Sequence, residues 1–88
     1  MSYSLIQTDQ FAKALRKLDK QTQRRIMAKL YGLLDLEDPA ARCKPLTGPL
    51  AGLWRVRTGD YRTIIDIRRG ELAILAIDTD HRSSIYDD

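Results

Sequence analysis

A chain of 88 residues with 43% hydrophobic and 31% charged side chains has the composition of one folded domain spanning 1–88, long enough for one core and too short for two. The net charge is +3, no window approaches the apolar length of a membrane span, and Met1-Ser2-Tyr3-Ser4-Leu5 has neither the basic nor the apolar segment of a secretory leader; the expected location is the cytoplasm, with no membrane partner. Cys43 is the single cysteine and His81 the single histidine, which excludes an internal disulfide and a His/Cys metal cluster; no metal or cofactor is expected.

In chain order, Tyr3 to Gln7 is expected to be a short strand, and Thr8 caps a helix whose apolar positions Phe11, Leu15 and Leu18 follow helical spacing. A turn at Asp19-Lys20 starts a second helix with the stripe Ile26, Met27, Leu30, Leu33 and Leu34, while Arg24, Arg25 and Lys29 face solvent and Asp38-Pro39 ends it. The stretch from Pro39 to Gly52, with Pro45, Gly48 and Pro49, is a loop. Three strands follow as a meander, Leu53 to Thr58, Tyr61 to Arg68 and Leu72 to Thr79, joined by turns at Gly59-Asp60 and Arg69-Gly70. The continuous apolar run Leu72 to Ile77 suits a central strand buried on both faces. The fold class is therefore α+β, an N-terminal strand and two-helix hairpin packed on a small antiparallel sheet.

The turn at Gly59-Asp60 carries the chemistry. A two-residue Gly-X loop makes Thr58 oppose Tyr61 and Arg57 oppose Arg62; alternation puts Arg55 on the same face and leaves Trp54, Val56, Thr63, Ile65 and Ile67 on the other. Like charges placed opposite each other destabilise a strand pair, so three permanent cations on one face call for an anion, and a phosphodiester fits. Between Arg42 and Arg69 stand seven basic and two acidic residues, the footprint of a nucleic-acid partner. Since the helices can cover only one face, Ile64, Leu75 and Ile77 are expected on the arginine side as an uncovered apolar floor, the place for a partner.

The segments Cys43-Lys44-Pro45-Leu46, Leu50 through Gly59-Asp60-Tyr61-Arg62, and Asp80-His81-Arg82-Ser83-Ser84-Ile85-Tyr86 resemble the RelE branch of the RelE/ParE toxin superfamily over nearly the whole chain. The resemblance implies a microbial-ribonuclease-like sheet and a type II toxin that enters the ribosomal A site and cleaves mRNA. It also implies a cognate antitoxin protein, with operator DNA reached only through the antitoxin complex. In such metal-free cleavage the 2′-hydroxyl attacks the neighbouring phosphate, and the protein moves protons and stabilises charge. Arg62 matches the family's phosphate-binding arginine, Arg55 a basic strand position, and Arg57 adds a third phosphate contact. Tyr86 matches a C-terminal tyrosine that acts on the nucleophile or stacks on a base. His81, of the residue type that exchanges protons near neutrality, is either the acid or base or, with Arg82, a contact to the chain or to ribosomal RNA. Lys44 reaches a phosphate or lies on the rim.

The sequence departs from the family at Leu53, where some members carry a lysine, and at Asp80, where some carry a further arginine. Arginine is a poor base, which leaves open the group that removes the 2′-hydroxyl proton. Two other readings stand beside the nuclease: a ParE-like inhibitor of DNA gyrase, and a non-enzymatic component that binds antitoxin and DNA.

Overall fold

The computed structural model describes residues 2–81, so Arg82 and Tyr86 lie outside it. Strand β1 (Ser4–Gln7) leads into helix α1 (Asp9–Arg16) and helix α2 (Lys20–Leu34). After a 3₁₀ turn at Pro39–Arg42 comes a two-residue strand, β2 (Lys44–Pro45), then a second 3₁₀ turn at Gly48–Leu50. Strands β3 (Trp54–Thr58), β4 (Tyr61–Arg68) and β5 (Ala73–His81) complete a five-stranded sheet in the order β1-β5-β4-β3-β2. The sheet is mixed rather than purely antiparallel, because β1 runs parallel to β5, from which both helices and strands β2 to β4 separate it along the chain.

Local chemistry sets the helix boundaries. The Thr8 hydroxyl accepts from the Phe11 N–H at 3.2 Å and donates to the Ala76 carbonyl at 2.9 Å, so one side chain starts α1 and anchors it to β5. Asp19 caps α2, and its carboxyl is held below the ordinary range first by the Thr22 hydroxyl and then by the Thr22 N–H. Helix α2 stops at Leu34, four residues before the expected Asp38. Its last carbonyl accepts from Tyr3 N–H at 2.7 Å, while Asp38 instead caps the 3₁₀ turn that Pro39 opens.

The core lies between the helices and one face of the sheet: Phe11, Leu15, Ile26, Leu30 and Leu33 meet Val56, Ile65, Ile74 and Ala76, with Trp54 packed against them. The turn between β3 and β4 has Gly59 at φ 58°, the left-handed position a Gly-X loop requires. A Cβ there would stand 3.2 Å from the Arg25 guanidinium of α2.

The β4–β5 ladder contains a bulge. Ile65 opposes Ala76 but Ile64 opposes Asp78, so Ile77 is an extra residue and the strand changes phase there. Past Ala76 the outer edge of β5 is no longer paired with β1. Along it Asp78 accepts from the Thr79 N–H at 2.9 Å and Asp80 from the His81 N–H at 2.7 Å. No helix among the described residues is long and apolar enough to cross a membrane.

Candidate functional site: an arginine face on the sheet

The face of the sheet away from the helices holds the predicted cations in two rows. In one, Arg57 of β3 opposes Arg62 of β4; in the other, Lys44 of β2 opposes Arg55 of β3, which opposes Ile64 of β4. The register expected from the Gly-X turn is the one observed. Lys44 sits on this face rather than on a loop, because β2 pairs with β3. Two residues are too few to carry a periodicity, and Pro45 is tolerated there because β2 is an edge.

The rows differ in depth. Arg62 is 8% exposed and Arg55 half-buried, each with its Nε buried, whereas Arg57 and Lys44 are exposed. Arg57 Nε donates to the Gly59 carbonyl at 3.4 Å, which steers that side chain along the turn. The floor is not open as expected: Ile64 is 7% exposed, and Leu75 and Ile77 are half-buried. Among the described residues the large apolar side chain exposed on this face is Ile6 of β1, 49% exposed, opposite Leu75.

The bulge at Ile77 moves two groups across the sheet. Uninterrupted alternation from Leu75 would carry Thr79 and His81 to the arginine face; the extra residue instead brings Asp78 and Asp80 there, Asp80 directly opposite Arg62. His81 stands with Tyr61 on the helix side, their rings edge-on with centroids 5.5 Å apart. The structure therefore brings together Lys44, Arg55, Arg57 and Arg62, adds two carboxylates, and sets His81 on the other face. Asp80 was the member missed from sequence, and only a cue for the bulge would have revealed it. Tyr86 and Arg82 fall outside the described residues. Among those residues no three His, Cys, Asp or Glu side chains are grouped as a metal site needs.

Cys43 lies apart from this face. Burial, then the Asp38 carboxylate, pushes its thiol up to about 11, and it donates to the Pro39 carbonyl at 3.3 Å. At pH 8 the native thiol is expected to react with a disulfide reagent at least about tenfold more slowly than in urea, measured by stopped absorbance. Because the native value lies above the unfolded one, this group's contribution to stability is whole below about pH 9 and is lost as pH rises towards about 11.

The fold has close relatives among solved structures. The RelBE2 toxin–antitoxin complex of Mycobacterium tuberculosis contains a chain 26% identical, covering 96% of this chain and 95% of its own, with a TM-score of 0.84. In the archaeal RelE–RelB complex of Pyrococcus horikoshii the similar chain is 30% identical, with 97% and 100% covered and a TM-score of 0.72. The isolated RelE toxin of E. coli shares the fold at 18% identity, with 91% and 84% covered and a TM-score of 0.74. Comparison with curated protein sequences gave no match. Residues 5–86 match the family described as ParE toxin of type II toxin-antitoxin system, parDE. With that match over nearly its whole length and the RelE architecture of its sheet and helices, the chain belongs to the ParE toxin family of type II toxin–antitoxin systems.

Proposed function

We propose that this toxin is a ribosome-dependent mRNA endoribonuclease of the RelE kind, cutting mRNA in the A site by metal-free attack of the 2′-hydroxyl and so stopping translation in the cytoplasm. The observation that carries the reading is the cross-strand pair Arg57–Arg62 beside Arg55 and Lys44, four basic side chains gathered on one face of the sheet, a footprint suited to the phosphates of a nucleic acid. Arg62, the most deeply set, holds the scissile phosphate through its planar fork and offsets the charge that develops on it. Arg55 and Arg57 bind the same or the adjoining phosphate, and Lys44 and Arg82 lie along the RNA. Proton transfer falls to the tail: Tyr86, by family resemblance, is the principal candidate, while His81 would have to act around the end of β5.

The partner is a cognate antitoxin, as the RelB chains are in the solved complexes of similar toxins, and operator DNA is met only through that complex. The gyrase-inhibitor reading draws on the family's ParE description alone. The arginine face sets it second.

The test separates positioning from intrinsic reactivity. No arginine on this face can act as a base, so alignment by the ribosome is expected to supply much of the rate. Ribosome-bound mRNA is expected to be cut at least about a hundredfold faster than the same transcript free in solution, read by mapping RNA ends. Equal rates would reject ribosome dependence, and an uncut transcript with gyrase inhibited would establish the alternative.

A further inference from the structure

Round the β3–β4 turn from the arginine face, helix α2 and the turn enclose a cleft of about 220 Å³ lined by Thr22, Arg25, Thr58, Gly59, Asp60 and Tyr61. Local structure shapes its walls. Gly59 lets the Arg25 guanidinium lie close over the turn, where a Cβ would meet it at 3.2 Å. Tyr61 is half-buried with its ring edge-on to His81, which fixes it as an aromatic wall. The Thr58 hydroxyl is buried beside them and has no hydrogen-bond partner among the described residues.

The charges in this cleft are opposite yet unjoined. Arg25 and Asp60 are both exposed and both border it, and among the described residues no ion pair or hydrogen bond links their side chains. An exposed pair of this kind gains little by closing, so the two groups remain open to a ligand that meets both. On the other side of Gly59, Arg57 Nε donates to the Gly59 carbonyl at 3.4 Å, which turns one cation of the arginine face toward the tip of the turn. A backbone phosphate at Arg57 would therefore leave its attached base beside the cleft.

We propose that this cleft receives one base of the mRNA, splayed out next to the phosphate at Arg57, and that its charge pair selects guanine. The proposal rests on mRNA being the ligand of the arginine face and adds the groups that choose where the message is cut. The cleft is smaller than the roughly 300–1,000 Å³ of pockets for larger small molecules and suits one planar ring system against Tyr61. Guanine presents two adjacent donors, N1–H and the N2 amino group, and two adjacent acceptors, O6 and N7. A carboxylate accepts from both donors and a guanidinium donates to both acceptors, so Asp60 and Arg25 are each satisfied by the same base. Adenine and cytosine offer the carboxylate a single amino group, and uracil a single ring N–H.

The test maps cut sites on ribosomes programmed with transcripts that vary each base around the cut, for the wild type, Asp60→Asn and Arg25→Gln. The wild type should prefer guanine at one position, and each variant should lower that preference at least about tenfold, the discrimination expected of one lost bidentate contact. In a ribosome-free arm, 5′-GMP should shift the backbone amide signals of Gly59, Asp60 and Tyr61 more than 5′-AMP at equal concentration, and Asp60→Asn should erase the difference. A wild type indifferent to guanine, or a preference unchanged in both variants, would overturn the proposal. So would a loss of ribosome affinity in Asp60→Asn that is the same for every transcript, which would give the cleft to a ribosomal base. Guanine-selective shifts at the turn from a chain that leaves mRNA uncut on ribosomes would keep the base site and reject the nuclease.

Discussion

Arg62→Ala is expected to lower single-turnover mRNA cleavage on saturated ribosomes by roughly a hundredfold or more, the usual cost of removing one positioned donor from a developing oxyanion. The expectation follows from depth. At 8% exposed, Arg62 is the cation of the face with the least water around it, and opposing Arg57 concentrates positive potential where a phosphate would sit. Arg62→Lys keeps the charge and loses the planar fork, so it should recover only part of the rate. Thermal melts of the same variants separate the roles: a full loss of cleavage with the melting temperature held marks a phosphate ligand, and a collapse of the melt marks a structural arginine. Near wild-type cleavage by the alanine variant would take Arg62 out of the site.

The second large effect belongs to the core. Ile74 is fully buried in β5, opposed by Leu5 on one side and Ile67 on the other, with the helices above it. Ile74→Ala should cost about 2–5 kcal/mol, which is a large part of the roughly 5–15 kcal/mol that holds a domain of this kind together. Urea denaturation measures it directly. Ile6→Ala, one residue along β1 from Leu5 and on the other face, is 49% exposed and should cost less than about 0.5 kcal/mol, so the pair of variants tests the assignment of faces as well as the burial.

The elements legible in the sequence were those with a strong local signal. Thr8 and Asp19 act as caps as their residue types suggest, and Gly59 fixes the register of β3 and β4 through the one backbone conformation the turn needs. That register was enough to place Arg55, Arg57 and Arg62 together. What escaped had no local signature. Strand β2 is made by pairing with β3, not by any preference of Lys44 and Pro45. The bulge at Ile77 sits within an unbroken apolar run, where alternation gives no sign of a skipped step, and its effect falls downstream on Asp78, Thr79, Asp80 and His81. One unpaired residue thus decides which of histidine and aspartate shares a face with the arginines.

The parallel pairing of β1 with β5 bears on how the protein is made. Ser4 meets Ala73 and Gln7 meets Ala76, so the first strand to be synthesised waits nearly the length of the chain for its neighbour. Contacts of such separation close late and slowly. Until Ala76 has emerged, β1 has no partner strand, β4 has a bare edge along Ile64 to Arg68, and α1 lacks the carbonyl that its cap grips. A nascent chain halted before Ala73 therefore contains the β3–β4 hairpin that carries Arg55, Arg57 and Arg62, but not β5, the strand that joins this hairpin to β1.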